Sequence, residues 1–250
     1  MPESSLIIDK YLDGRIYICQ PQKGYRAGID AILLAAAVSP KKSHKVLDVG
    51  TGVGTVMLAI ASYFPQTQFA GLEIQQELVT LAAENIKRNH QEKNVQIFQG
   101  SILSPPDELL PNTFDHVVTN PPYFNFGATT EDLKKTISRH EQNIGIESWI
   151  QACIRMVKPR GYLTMIHRAE RLDEILKNLT PKTGDIKIFP LWPQKNQAAK
   201  LVLIQARKSV NTPCQMLSGL CLHNEDKAYT QKADDIFRGR SRLENLTLES

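Results

Sequence analysis

From Lys45 onward, short apolar runs bounded by turn residues alternate with longer amphipathic stretches. This alternation is the strongest constraint on the fold, because β-α-β units build a parallel sheet covered by helices. The first five predicted strands are Val46–Val49, Gln68–Leu72, Val95–Phe98, Phe114–Thr119 and Tyr162–Ile166. The predicted helices are Thr55–Tyr63, Gln76–Asn89 and Trp149–Val157.

Two further strands, Ile186–Phe189 and Ala199–Ala206, are joined by a loop without a crossover helix, so we expect them to be antiparallel. A turn at Lys158–Gly161 is expected before the fifth strand. The chain of 250 residues contains no internal repeat, which predicts one α/β domain over residues 1–250. We divide it into an N-terminal extension (1–44), a core (45–210) and a C-terminal extension (211–250).

A glycine-rich segment runs from Asp48 to Gly54, where the first core strand meets its helix. Glycine permits positive φ and lets backbone N–H groups approach a ligand closely. A dinucleotide fingerprint would place its third glycine at position 55, which is Thr55, so the spacing argues against NAD. The spacing D-x-G-x-G-x-G is instead typical of methyltransferases that use S-adenosylmethionine (SAM). We expect Asp48, Gly50 and Gly52 to contact SAM.

Two later positions extend this predicted cofactor site. Glu73 ends the second core strand, 23 residues after Gly50, where a carboxylate can accept hydrogen bonds from both ribose hydroxyls. After the third core strand, methyltransferases of this kind tend to carry Gly-Asp, whereas this chain has Gly100-Ser101. The Ser101 hydroxyl is the candidate contact to the adenine amino group of SAM.

The residues Asn120, Pro121, Pro122, Tyr123 and Phe124 follow the fourth strand, at the edge where open α/β sheets bind ligands. Their first four letters, N-P-P-Y, resemble the active-site motif of SAM enzymes that methylate planar amino groups. Such an amine is a poor nucleophile because its lone pair is delocalised. The side-chain oxygen of Asn120 and the carbonyl of Pro121 can accept its two N–H groups and orient it. Tyr123 is predicted to stack on the target base, beside Pro122 and Phe124. Asn120 is also expected to contact SAM.

The charge pattern, the cysteine spacing and the length of the apolar runs limit which partners the chain can bind: RNA, metal ions or a membrane. Residues 155–208 carry 12 Lys or Arg against 4 Asp or Glu, so this stretch can face a polyanion such as RNA. The four cysteines lack C-x-x-C spacing, which predicts buried free thiols and no metal site. No apolar run approaches the ~20 residues of a membrane span, so we expect a cytoplasmic protein without a membrane partner.

Further segments resemble the bacterial tRNA(Val) adenosine-37 N6-methyltransferases, and the resemblance spans nearly all of residues 10–240. It implies a Rossmann-like class I methyltransferase with a seven-stranded, mostly parallel sheet and an antiparallel last strand. It also implies SAM as methyl donor and N6 of adenosine 37 in tRNA(Val) as the target. The segments are Q-P at 20–21, G-Y-R-A-G-I-D-A at 24–31, I-H-R-A-E-R-L at 166–172 and A-R-K at 206–208.

The resemblance implies roles for individual residues as well. Residues 25–30 would lie near the methionine end of SAM, with Arg26 or a backbone N–H near Gly28 meeting its carboxylate and Asp30 its ammonium. An adenine must be turned out of its loop to reach the active site, and residues 125–146 are predicted to form a lid. The predicted phosphate contacts are Lys195 and Lys200, with Arg168, Arg171, Arg207 and Lys208 as further candidates.

Three alternatives remain open. N-P-P-Y also occurs in enzymes that methylate a glutamine side-chain amide in release factors, but those carry a helical domain before the core, and only about 45 residues precede the glycine segment here. We therefore place tRNA or another structured RNA first, a protein amide second, and another RNA or DNA amino group third. An idle binding module is disfavoured because N-P-P-Y is complete, and His116 and His167 are interpreted as core or lining histidines.

Overall fold

The computed structural model describes residues 6–23, 26–122, 145–243 and 246. A large mixed sheet carries helices on both faces and is joined by a separate two-stranded hairpin. The strands are β1 (Leu6–Tyr11), β2 (Ile16–Pro21), β3 (Lys45–Val49), β4 (Gln68–Glu73), β5 (Val95–Gln99), β6 (Phe114–Thr119), β7 (Val157–Arg168), β8 (Thr183–Trp192), β9 (Leu201–Lys208), β10 (Gln215–Met216) and β11 (Leu220–Cys221). The helices are α1 (Ile29–Ala36), α2 (Thr55–Ala61), α3 (Gln76–Arg88), α4 (Ile146–Met156), α5 (Leu172–Leu179) and α6 (Gln231–Phe237).

The order of the seven main strands is β5-β4-β3-β6-β7-β9-β8. Strands β3 to β7 are parallel, whereas β9 is antiparallel to both β7 and β8. The predicted α/β class and the antiparallel last strand are therefore confirmed. The short strands β10 and β11, which the sequence pattern did not predict, pair with β8 in parallel.

Side chains that alternate along the strands give the sheet two apolar faces. In β3, Val46 packs in the layer that contains α1, α2 and α3, and Leu47 packs in the layer that contains α4 and α5. Because helices cover both faces, the central strands are nearly continuous apolar runs. Among the helices of the described residues, none is long and apolar enough to cross a membrane.

The predicted turn at Lys158–Gly161 is a bulge inside β7 instead. Val157 already pairs with Phe114 of β6, and regular pairing resumes at Tyr162. A Cβ added to Gly161 would lie 2.8 Å from a backbone carbonyl oxygen of β6, so a larger residue would push the two strands apart. Strand β7 therefore begins five residues before the predicted Tyr162, whereas the other predicted strands and helices begin and end within three residues of their predicted positions.

The N-terminal extension contains a feature that the sequence pattern missed, the β1–β2 hairpin. Its side chains Ile16 and Ile18 are buried in the same layer as α1 and α2. In the C-terminal extension, Ala233 and Ile236 of α6 pack into that layer too. Both extensions therefore share a hydrophobic core with the sheet.

Candidate active site

The carboxyl ends of β3, β4 and β6 lie side by side at one edge of the sheet. Val49 of β3 pairs with Leu72 of β4 and with Thr119 of β6. The strand order reverses direction between β3 and β6, which is where open α/β sheets bind their ligands. At this edge Gly50 follows β3, Glu73 is the last residue of β4, and Asn120 follows β6, so the three predicted motifs meet there.

The glycine loop, residues 50–54, depends on backbone conformations that other residues rarely adopt. Gly50, Gly52 and Gly54 have φ values of 69°, 58° and 89°, a region in which an L side chain is strained. The N–H groups of Gly50 and Thr51 donate to the carbonyl of Leu72 at 2.9 and 3.1 Å. The loop is thereby folded back over the end of β4.

Asp48 lies beneath the glycine loop and is only 1% exposed. Its Oδ2 accepts hydrogen bonds from the Thr51 hydroxyl at 2.6 Å and from the Met57 N–H at 3.2 Å. Burial raises the pKa of Asp48 to about 7, although these two hydrogen bonds lower it, and the neighbouring charge of Glu73 adds to the rise. Asp48, predicted as a cofactor residue, thus supports the loop from the protein interior.

Backbone N–H groups hold the Glu73 carboxylate in a fixed orientation. Its Oε2 accepts from Gly52 at 2.9 Å, and its Oε1 accepts from Ile74 and Gln75 at 3.0 Å each. Burial raises the pKa of Glu73 even though these hydrogen bonds lower it. A carboxylate offers about four acceptor positions, so the oriented group retains acceptor capacity beside the loop. Three of these positions are already used, and the remaining one fits a hydroxyl donor of a ribose such as the one that SAM carries.

Ser101 lies in the turn after β5, directly after Gly100. The N–H of Gly100 donates to the Glu73 carbonyl at 2.9 Å and brings the turn after β5 to the site. The half-buried Ser101 hydroxyl oxygen accepts from the Leu103 N–H at 3.3 Å. It keeps its own proton and a second lone pair for a ligand.

Asn120, Pro121 and Pro122 leave β6 at the same edge. Pro121 is buried, and Asn120 and Pro122 are half-buried. Within the part of the chain that the structure describes, Asn120 Oδ1 is buried and has no hydrogen-bond partner. A buried acceptor left without a donor costs about 1–3 kcal/mol, which an N–H donor from a ligand would remove. Tyr123, Phe124 and all but the last two residues of the predicted lid lie outside the described residues.

The N-terminal candidates lie beside the hairpin. Arg26 is 47% exposed in its side chain and forms an ion pair with Asp9 at 2.9 Å. Gln20 holds the same segment, because its amide donates to Asp9 at 2.6 Å and accepts from the N–H that follows Arg26 at 2.9 Å. Gly28 precedes α1 with φ −107°, and Asp30 lies in the first turn of that helix. In this structure Arg26 is engaged by the hairpin.

The predicted phosphate contacts separate into three groups. Lys195 and Lys200 are exposed in the β8–β9 loop, and because β8 is parallel to β7, this loop lies at the same edge as Asn120. Arg207 and Lys208 lie at the opposite end of β9, where the Lys208 ammonium donates to three protein oxygens. The candidates at the end of β7 form ion pairs, Arg168 with Glu170 and Arg171 with Glu174.

His116 is a core residue, as interpreted from the sequence. It is 1% exposed, and its Nε2 forms a hydrogen bond of 2.7 Å with the Thr164 hydroxyl, which also accepts from Gln205 at 3.1 Å. Burial lowers the pKa of His116 to about 3, so the ring is neutral. Among the described residues no cluster of His, Cys, Asp and Glu could hold a metal ion.

Two supporting residues were missed from the sequence, Asn85 and Trp149. Asn85 is buried on the apolar face of α3, where it bonds the backbone of Cys19 at 2.7 and 2.9 Å and the Val53 carbonyl of the glycine loop at 3.0 Å. An Asn on an otherwise apolar helix face was the available signal. Trp149 of α4 bonds Thr119 at the end of β6. Because an aromatic residue is ordinary on an apolar helix face, the sequence did not single it out.

The strand order, the glycine loop with its adjacent carboxylate, and Asn-Pro-Pro after β6 define a class I SAM-dependent methyltransferase. Residues 27–170 match the methyltransferase small domain family over more than half of the chain. The chain belongs to that family. This membership supports SAM as the methyl donor.

Relatives of known sequence support the predicted resemblance. The tRNA1(Val) (adenine(37)-N6)-methyltransferase of Porphyromonas gingivalis strain ATCC 33277 is 31% identical over 167 residues, 64% of this chain and 66% of that protein. The Tolumonas auensis protein of the same name is 24% identical over 230 residues, 89% and 94% of the two chains. This alignment to the P. gingivalis protein spans just under two thirds of that relative.

Solved structures show the same fold. A predicted O-methyltransferase from Agrobacterium tumefaciens superposes with a TM-score of 0.71 at 22% identity, covering 86% of this chain and 98% of that chain. M. jannaschii TYW2 in complex with AdoMet superposes with a TM-score of 0.57 at 17% identity, covering 81% and 85%. Both likenesses concern the fold alone.

Proposed function

We propose that the chain transfers a methyl group from SAM to the N6 amino group of an adenine in tRNA, at adenosine 37 of tRNA(Val). The names of relatives aligned over as much as 94% of their length support this assignment. The observation that carries it is the buried oxygen of Asn120, which follows β6 beside the glycine loop and has no donor among the described residues. An exocyclic amino group is the substrate that needs such an acceptor.

The amino group of adenine is unreactive because its lone pair is delocalised into the ring. In the proposed reaction, Asn120 Oδ1 and the carbonyl oxygen of Pro121 each accept one N–H, which directs the lone pair toward the methyl donor. The new N–C bond would form as the bond between the methyl carbon and sulfur breaks, so neither group has to remove a proton first, and the methylated nitrogen would then release its extra proton to solvent. Their fixed dipoles stabilise the positive charge that develops on nitrogen. Pro121 and Pro122 restrict the backbone, so a carbonyl there can act as a fixed acceptor.

The residues that would hold SAM lie along the ends of β3, β4 and β5. Glu73 would accept from the ribose hydroxyls, Ser101 would meet the adenine, and the glycine loop at Gly50 and Gly52 would allow close approach. When bound, SAM supplies an electrophilic methyl group on a positively charged sulfur. At the methionine end of SAM, Arg26 or a backbone N–H near Gly28 would meet the carboxylate. Asp30 would meet the ammonium group.

Binding of tRNA would use the same edge. Lys195 and Lys200 would contact phosphates, and Pro122, Tyr123 and Phe124 would form the wall against which the target base stacks. Turning out a base costs a few kcal/mol, and least in a loop that is already single-stranded. From this proposed substrate we infer that the enzyme acts in the cytoplasm.

The test is incubation of the protein with isotopically labelled SAM and total tRNA, followed by nucleoside mass spectrometry. We expect N6-methyladenosine from the natural chain and none from Asn120→Ala, with SAM affinity nearly unchanged. Asn120→Asp keeps an acceptor oxygen and should retain more activity than Asn120→Ala. If Asn120→Ala abolishes SAM binding, this residue belongs to the cofactor site alone. Label in protein rather than tRNA would favour the glutamine-amide alternative.

A further inference from the structure

A buried hydrogen-bond chain crosses from α4 to β6 and on to β3. The indole Nε1–H of Trp149 donates to the Thr119 hydroxyl at 3.0 Å, and this hydroxyl donates to the Val49 carbonyl at 2.9 Å. Trp149, Thr119 and Val49 are each 1% exposed. The hydroxyl is therefore used as both donor and acceptor, and the direction of the chain is fixed.

The three residues lie directly behind the two halves of the proposed site. Val49 precedes Gly50 of the glycine loop, and Thr119 precedes Asn120. The indole ring of Trp149 also lies 3.3 Å from the position that a Cβ on Gly50 would occupy. The Trp149 side chain thus lies against the glycine loop through its ring, and its N–H group bonds the end of β6 directly before Asn120.

Sheet pairing between β3 and β6 ends at Val49 and Thr119. Past this pair, the backbone ladder no longer fixes the two loops relative to one another. We propose that Thr119 and Trp149 are positioning residues that set the separation between the glycine loop and Asn120. This inference rests on the proposed function for its kinetic consequence. Methyl transfer needs close alignment of its two reactants, so a small displacement is costly.

The kinetic test compares Thr119→Val with Thr119→Ser. The Val variant keeps the branched shape and removes both hydrogen bonds, whereas the Ser variant keeps the hydroxyl. We expect Thr119→Val to lower kcat by at least about tenfold, with KM for SAM and tRNA nearly unchanged, and Thr119→Ser to restore most of the rate.

Thr164→Val is the matched control. Thr164 is fully buried in the adjoining strand β7 and bonds His116 and Gln205 instead of the site. It should lower the thermal midpoint of unfolding without lowering kcat. A normal kcat in Thr119→Val, or an equal loss of kcat in Thr164→Val, would overturn the proposal.

A second readout needs no tRNA. The chain has two tryptophans, and the indole N–H of Trp192 donates to the Ser218 carbonyl at 3.2 Å, so it serves as an internal reference in NMR spectra. SAM should shift the Trp149 indole N–H signal but not that of Trp192, and Thr119→Val should weaken this response. If SAM leaves the Trp149 signal unmoved, the inference is wrong even when tRNA is methylated. If the signal moves but the natural chain methylates no tRNA, the inferred coupling stands and the proposed substrate is wrong.

Discussion

Replacing Asp48 by Asn should change how the stability of the protein depends on pH. Burial raises the pKa of Asp48 from 3.8 to about 7, so the folded protein holds this proton more tightly than the unfolded chain does. As pH rises through this interval, the unfolded chain ionises first and is stabilised relative to the folded protein. The contribution of Asp48 to stability therefore falls between pH 4 and pH 7, and an Asn at position 48 makes no such pH-dependent contribution.

The size of the effect follows from the two pKa values. A tenfold change in proton affinity corresponds to about 1.4 kcal/mol. The rise from 3.8 to about 7 therefore corresponds to ~4 kcal/mol. The Asn variant also places an amide NH₂ in the buried site, but that cost is independent of pH and cancels when two pH values are compared. Relative to the natural chain, Asp48→Asn should thus gain ~4 kcal/mol of unfolding free energy between pH 4 and pH 8.

The assay is urea unfolding of both proteins without SAM, at several pH values from 3 to 8. Asp115→Asn is the control of opposite sign. Burial alone would raise the pKa of Asp115, but the Lys45 N–H at 2.8 Å and the Lys158 ammonium at 3.0 Å together lower it. The stabilising contribution of Asp115 is present above its unfolded pKa and is lost as pH falls. The unfolding free energy of Asp115→Asn should therefore decrease relative to that of the natural chain as pH rises from 3. A free-energy difference for Asp48→Asn that stays constant with pH would refute the reasoning.

Two further predictions concern binding. Glu73→Gln should weaken SAM binding by about 1–3 kcal/mol, because a charged acceptor of two hydroxyl groups is lost; an unaltered calorimetric affinity would remove Glu73 from the ribose site. Replacing both Lys195 and Lys200 by Ala should reduce the slope of log affinity for tRNA against log salt by about 1.4, at ~0.7 per single-strand phosphate. SAM affinity should stay the same, and an unchanged slope would show that these lysines contact no phosphate.

Local patterns were sufficient to predict the main sheet. Apolar runs bounded by turns located its seven strands, and the glycine spacing located the turn after β3. Because parallel strands end at one edge, Glu73 and Asn120 are predicted at the same edge of the sheet, and the pairing of β3 with β4 and β6 confirms it. These features depend on residues close in sequence, or on a topology that the alternation of strands and helices already implies.

Long-range contacts could not be predicted in the same way. The β1–β2 hairpin is held to α3 by Asn85, whose partner Cys19 lies 66 residues away. The contact of Trp149 with Thr119 spans 30 residues, and no spacing rule connects them. The interior position of Asp48 depends on how Thr51 folds back over it. For Asn85 and Trp149 the partner is distant in sequence, and for Asp48 it depends on the loop conformation, so no spacing pattern identifies it.

The place of β9 has a consequence for biosynthesis. Because β9 is inserted between β7 and β8, a nascent chain carries both of these strands before the strand that joins them has been made. Until residues 201–208 leave the ribosome, each strand presents an unpaired backbone edge, which is a template for association with other chains. A chain terminated just before Leu201 should therefore precipitate more readily than one terminated after Lys208, in which β9 joins β7 to β8 and completes the seven main strands.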